Sequence, residues 1–159
     1  MNQLEKRIEK IKSYPIWLFS ALIGQAVPFT GTARIQYEKM SREEVIVSLQ
    51  NRRRVRNHIG QIHAAGMMLL AETATGMVVG MNIPDNKIPL IKSMKTNFVK
   101  RSTGNMRATA HLSAEQIEQI KTLEKGEVQV PVTVTDEANV EPILVEATWA
   151  WIPKKKKQV

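Results

Sequence analysis

Hydrophobic and polar positions alternate most cleanly at two places along the chain. Val45, Val47 and Leu49 interleave with Ile46, Ser48 and Gln50, and Val128, Val130, Val132 and Val134 interleave with Gln129, Pro131, Thr133 and Thr135. A period of two sends neighbouring side chains to opposite faces, so both segments are predicted strands with one buried face. The first runs over about 44–51. Pro131 cannot donate to a ladder, which argues that the second lies at an edge. Weaker alternation predicts a strand over 29–39. Residues 90–101 and 106–111 read as an antiparallel pair around 102–105. A turn near 136–139 leads to a last strand over 143–152, in which Val145, Ala147, Trp149 and Trp151 share a face.

Helical periods fill the remainder. Leu4, Ile8 and Ile11 give the first dozen residues an apolar stripe, and Ser13 is placed to cap a short second helix with Pro15 in its first turn. Over 113–126, Ile117, Ile120 and Leu123 form a stripe, Ser113 with Gln116 has capping-box spacing, and Gly126 stops the helix. The segment 62–80 is different. From Ala64 to Gly80 every residue except Glu72, Thr73 and Thr75 is apolar or glycine, and Gly80, Pro84 and Asp85 end the run. A helix apolar on all sides is a core helix, so the strands must form a sheet that wraps it. The expected fold is α+β. At 159 residues the chain is one domain, with an N-terminal helical segment over 1–27, a basic tail over 154–159, and neither a repeat nor a linker.

Glu72 stands out within the apolar helix. Burying an ionisable group costs several kcal/mol unless it is paired, so Glu72 is either a satisfied structural partner or a working group. The chain has no cysteine, which excludes disulfides, thiolate metal sites and a cysteine nucleophile. His58, His63 and His111 are too scattered for a zinc site, so no metal is expected. Met67, Met68, Met77 and Met81 suit either the core or an acyl pocket.

The net charge is +8, concentrated at Arg52, Arg53, Arg54 and Arg56, at Lys92, Lys95, Lys100 and Arg101, and at Lys154–Lys157. Such clusters attract phosphate. The runs at 52–56 and 154–157 hold no aromatic residue, so the stacking platform of a single-strand nucleic-acid binder is missing, and nucleic acid is not the expected partner. No charge falls between Ser13 and Ala33, yet Pro15, Gly24, Gln25 and Pro28 interrupt that stretch. Its unbroken apolar run is well short of the ~20 residues that span a bilayer. Neither a membrane span nor a cleaved leader is expected, and the cytoplasm is the expected compartment.

The segment N-H-I-G-Q-I-H-A-A-G-M-M-L-L-A-E places Asn57, Gly60 and His63 three residues apart, follows them with Ala64 and Ala65, and sets Glu72 nine positions beyond His63. This resembles the hot-dog-fold acyl-CoA thioesterases of the phenylacetyl-CoA thioesterase type, together with a thioesterase-like hot-dog subfamily. Their pattern is N-x-x-G-x-x-H-G-G with a carboxylate nine residues after the histidine. The departures here are Ala64 and Ala65 for the two glycines, and Glu where Asp is common. The resemblance implies a hot-dog domain that hydrolyses an acyl- or aryl-CoA thioester as a homodimer or a dimer of dimers, with coenzyme A entering as part of the substrate rather than as a cofactor. It implies Glu72 as base or nucleophile, Asn57 as a positioning group, and the start of the apolar helix at Ala64 and Ala65 as carbonyl donor. His63 has either a catalytic or a loop-orienting role.

Three further positions are candidates on chemical grounds. Arg53 and Arg54 could bind the coenzyme A phosphates, and Ser93 could offer a hydroxyl. Nine residues of helix span ~13.5 Å and turn about 900°, so Glu72 cannot serve the helix start of its own chain. An acyl-CoA- or lipid-binding hot-dog protein without turnover is the alternative reading.

Overall fold

The computed structural model describes residues 1–11 and 13–155. Lys156 and Lys157 of the expected basic tail therefore lie outside the described residues. Three helices come first: α1 (Gln3–Ile11), α2 (Ile16–Ala26) and α3 (Pro28–Ala33). Strands β1 (Gln36–Met40) and β2 (Glu44–Leu49) precede a 3-10 turn at Arg53–Val55 and the long helix α4 (Ala64–Asn82). After these come β3 (Lys87–Phe98), β4 (Met106–His111), α5 (Ala114–Thr122), β5 (Gly126–Val130), β6 (Val132–Asp136) and β7 (Ile143–Pro153).

All strand pairs are antiparallel. One sheet has the order β1-β2-β4-β6 and the other β3-β7-β5. Pro131 joins them. It offers no N–H, so the ladder breaks there and one alternating segment changes partner: Val130 faces Ala147 of β7, whereas Val132 faces Ala110 of β4. The expected edge position holds, because β5 and β6 are the end strands of their sheets, and Pro131 is also the junction between the two. The curved surface so formed packs on α4, whose Leu70, Ala71, Ala74, Val78 and Val79 are fully buried. This is a hot-dog fold, α+β as the pattern predicts. By length and composition α4 could cross a membrane. In this fold it is the core helix.

Several elements depart from the sequence reading. Residues 29–33 are helical, not extended. Pro28 opens α3 at a position where a missing N–H is harmless. Thr30 and Thr32 donate their hydroxyls back to the Val27 and Pro28 carbonyls at 2.8 and 3.1 Å, and Arg34 ends the turn at φ 56°. Ser13 does not cap α2, because Pro15 holds that position. The pairing of 90–101 with 106–111 is not formed. β3 pairs with β7 instead, and the connection is tied to the 136–142 turn through Thr103 N–H to Asp136 Oδ2 at 2.8 Å and Val99 N–H to Pro142 O at 2.9 Å.

Polar residues lock the layers together. Asn2 accepts from Glu5 N–H and donates to the Gly80 and Ile83 carbonyls at 2.9 and 2.7 Å, fixing α1 to the end of α4. Buried Lys87 donates to the carbonyls of Ile120, Lys121 and Leu123 at the end of α5. The predicted capping box of Ser113 and Gln116 is present. Trp149 and Trp151, both facing the core, donate to Thr75 Oγ1 and to the Leu123 carbonyl.

Candidate active site

The Asn57–Glu72 segment divides into a stitched loop and the first half of α4. Asn57 Oδ1 accepts from the N–H groups of Ile59 and Gln61 at 3.1 and 3.0 Å, so its side chain shapes the turn from within. Gly60 sits at φ 79° with open space where a Cβ would stand, so its glycine is required by conformation rather than crowding. Its carbonyl accepts from Asn51 Nδ2 at 3.1 Å, and Arg56 in turn donates to Asn51 Oδ1 and O.

His63 is the N-cap of α4. Its Nδ1 accepts the Ala65 N–H at 3.0 Å, which leaves the ring proton on Nε2. This geometry corrects one expectation: the Ala65 N–H, proposed as a carbonyl donor, is already occupied. The Ala64 N–H has no partner among the described residues. One open donor therefore remains at the positive end of the helix.

Glu72 lies further along the same unbroken helix, about 12 Å from Ala64 at 1.5 Å per residue. It is half-buried, and its carboxylate has no hydrogen-bond or ion-pair partner among the described residues. Burial pushes the carboxyl above its ordinary value. Tyr37 stands near it. The phenol is held above its usual value by burial, opposed by its 3.4 Å hydrogen bond to Thr30 Oγ1 and raised further by the Glu72 charge. Tyr37 and Thr30 thus come to the candidate site although no motif marks them. The one available signal was a tyrosine at an inward position of β1.

The remaining candidates separate. Arg53 and Arg54 are exposed on the 3-10 turn, and their side chains have no hydrogen-bond or ion-pair partner among the described residues. Arg52, by contrast, donates to the Ala33 carbonyl at 2.9 Å. Ser93 pairs opposite Thr148, on the sheet face away from the one on which Met94 and Ala147 pack. It is not brought toward Glu72 within this chain. Among the described residues, no group of three or more His, Asp or Glu side chains could hold a metal ion.

Comparison with known proteins places the chain in a family. Residues 16–152 match the family model described as domain of unknown function DUF4442, and the protein belongs to that family. Comparison with curated proteins gives no match. A crystal structure of a Pseudomonas aeruginosa protein of unknown function, named a probable thioesterase, is similar at 23% identity and a TM-score of 0.78, covering 88% of this chain and 97% of that one. A structural-genomics protein, APC5556, has 25% identity and a TM-score of 0.78 over 95% and 99% of the two chains. A thioesterase from Haemophilus influenzae has 13% identity and a TM-score of 0.68 over 92% and 96%. These likenesses bear out the hot-dog fold.

Proposed function

We propose that the protein hydrolyses acyl- or aryl-CoA thioesters at a site shared between two copies of the chain. The observation that carries this reading is Glu72, an unpaired, half-buried carboxylate in a core helix, a fixed distance from a helix start with an open N–H. A carboxylate raised by burial is a better base. In the proposed reaction the Ala64 N–H of one copy polarises the thioester carbonyl, while Glu72 of the other takes a proton from water. The hydroxyl oxygen attacks the carbonyl carbon. The tetrahedral oxyanion then collapses, the carbon–sulfur bond breaks, and Glu72 returns the proton to the leaving thiolate.

Two copies are needed because Glu72 and Ala64 of one helix stand ~12 Å apart. A free edge supports the pairing. β3 is the outer strand of its sheet and exposes Ile88, Leu90, Ile91 and Phe98. A long free edge offers unpaired backbone N–H and C=O groups to a second strand. The resemblance of the Asn57–Glu72 spacing to hot-dog thioesterases, and the names of the similar structures, agree with thioester chemistry.

The test is hydrolysis of short, long and aromatic acyl-CoAs by the wild type and by Glu72→Gln. Turnover that falls by ~10²–10⁴ in the variant, with binding retained, is the expected result. Equal turnover by both proteins sinks the role of Glu72. One observation favours a second reading: His63 leaves only a single open donor at the start of α4. Tight acyl-CoA binding without turnover in the wild type would support that non-catalytic reading.

A further inference from the structure

A cleft of about 570 Å³ lies away from Glu72, between α2, α3 and the start of β1. Its volume is that of an ordinary ligand pocket, ~300–1,000 Å³. Gly24 and Gly31 line it where α2 and α3 meet backbone to backbone. A Cβ on Gly31 would stand 2.6 Å from the Gly24 carbonyl oxygen, and one on Gly24 would stand 2.8 Å from the Gly31 Cα.

The polar lining is unbalanced. Arg34 and Arg52 both face the cleft, and no carboxylate does. Arg52 is anchored through Nη2 to the Ala33 and Arg34 carbonyls, yet its Nε is buried without a partner. Burial, then the neighbouring charges of Arg34 and Arg54, hold its guanidinium below the usual value, as expected for a cation lacking its counter-charge. Arg34 has no ion pair among the described residues. Such a pair of guanidiniums matches phosphate in both charge and geometry.

The remaining lining argues for more than a bare anion. Gln25, Gln36 and Gln50 also line the cleft, and their side-chain amides have no hydrogen-bond partner among the described residues. Each amide both donates and accepts, as the edge of a nucleobase requires. Trp17, 64% exposed, adds an open aromatic face at the rim. An aliphatic tail would leave the three amides against hydrocarbon, which is costly. A stacked base would not.

We propose that this cleft binds a nucleoside phosphate, with its phosphate groups between Arg34 and Arg52 and its base against Trp17. The ligand is either a free nucleotide or the nucleotide end of coenzyme A. The second source alone rests on the thioesterase reading.

Titration of the full chain with ADP, coenzyme A and inorganic phosphate, followed by calorimetry and by Trp17 fluorescence, tests the proposal. ADP should bind the wild type, and Arg34→Glu and Trp17→Leu should each weaken it by about tenfold or more. Arg34 and Trp17 are both exposed, so the two variants should keep the wild-type circular dichroism. Coenzyme A that binds at least as tightly as ADP and displaces it identifies the coenzyme as the source. ADP binding with no displacement by coenzyme A identifies a free nucleotide. Absence of binding by all three ligands at millimolar concentration, inorganic phosphate binding as tightly as ADP, or unchanged affinity in both variants would overturn the proposal. The titrations need no turnover. A chain that binds no nucleotide yet hydrolyses thioesters through Glu72 overturns this inference alone.

Discussion

Replacing Glu72 by glutamine should make the protein more stable at neutral pH. The two side chains are close in shape, so the packing of α4 is kept and the change is one of charge. The Glu72 carboxylate is half-buried and has no partner among the described residues. A polar group left unpaired inside a protein costs about 1–3 kcal/mol. Because this carboxylate keeps some contact with solvent, the gain on removing its charge should lie near ~1 kcal/mol. For a chain of this size that is a rise in Tm of about 2–4 °C.

The pH dependence has a fixed sign. Burial raises the folded-state pKa, so the native protein holds the proton more tightly than the unfolded chain. Wild-type stability therefore falls as pH rises from the unfolded value to the raised folded value, and is flat in this term above it. Glutamine carries no such proton. The advantage of the variant should be full above the folded pKa and should vanish as the pH drops below the unfolded one. Thermal and urea denaturation of both proteins across the acidic-to-neutral range measures this difference directly. A variant less stable than wild type at neutral pH would refute the reasoning, because it would mean that the charge of Glu72 satisfies a structural partner.

Lys87→Met should destabilise the fold by about 1–3 kcal/mol, since three carbonyls at the end of α5 lose their donor; an unchanged urea midpoint would contradict this. At Gly76 a Cβ would stand 2.7 Å from the Trp149 ring, so Gly76→Ala should be net destabilising. The overpacking cost of about 1–3 kcal/mol exceeds the helix-propensity gain of about 1 kcal/mol. A variant as stable as wild type, with unchanged near-ultraviolet dichroism, would show that the indole has room to move. Charge reversal at both Arg53 and Arg54 should raise KM for CoA thioesters and leave kcat unchanged, with little effect on thioesters lacking the nucleotide. Equal effects on both substrates would make the two arginines a solvated face.

What could be read from the sequence was local. The capping box of Ser113 and Gln116, the inward face of Val45, Val47 and Leu49, and the apolar run around Glu72 each depend on neighbours within a few residues. One misreading is local and the others involve distant partners. Thr30 and Thr32 favour a strand by propensity, but their hydroxyls return to the carbonyls of Val27 and Pro28, and the Gly24–Gly31 contact holds that helix in place. No local pattern indicates that β3 pairs with β7 some fifty residues later, or that Pro131 hands one strand from β7 to β4. At the candidate site, the spacing of Asn57, His63 and Glu72 was legible. That the His63 ring would occupy the Ala65 N–H was not, because it depends on the rotamer of an exposed side chain. The cleft beside Arg34 and Arg52 was hidden for a similar reason, since its walls come from segments separated in the chain.

The central claim is that Glu72 of one chain works with the helix start of another. Ala64→Pro is suited to test it, because proline removes the one open N–H at the first helical position, where it is tolerated. His63, at φ −61° and ψ 144°, already has the backbone that a residue before proline adopts. Ala64→Pro alone should lower turnover by ~10²–10³, and Glu72→Gln alone should be nearly inactive. When the two variants are unfolded together and refolded as an equal mixture, half the dimers are mixed, and each mixed dimer has one site with both groups intact. The account predicts recovery of roughly a quarter of wild-type acyl-CoA hydrolysis, from random pairing of two-site dimers. A mixture with confirmed subunit exchange that remains as inactive as its parents would contradict it.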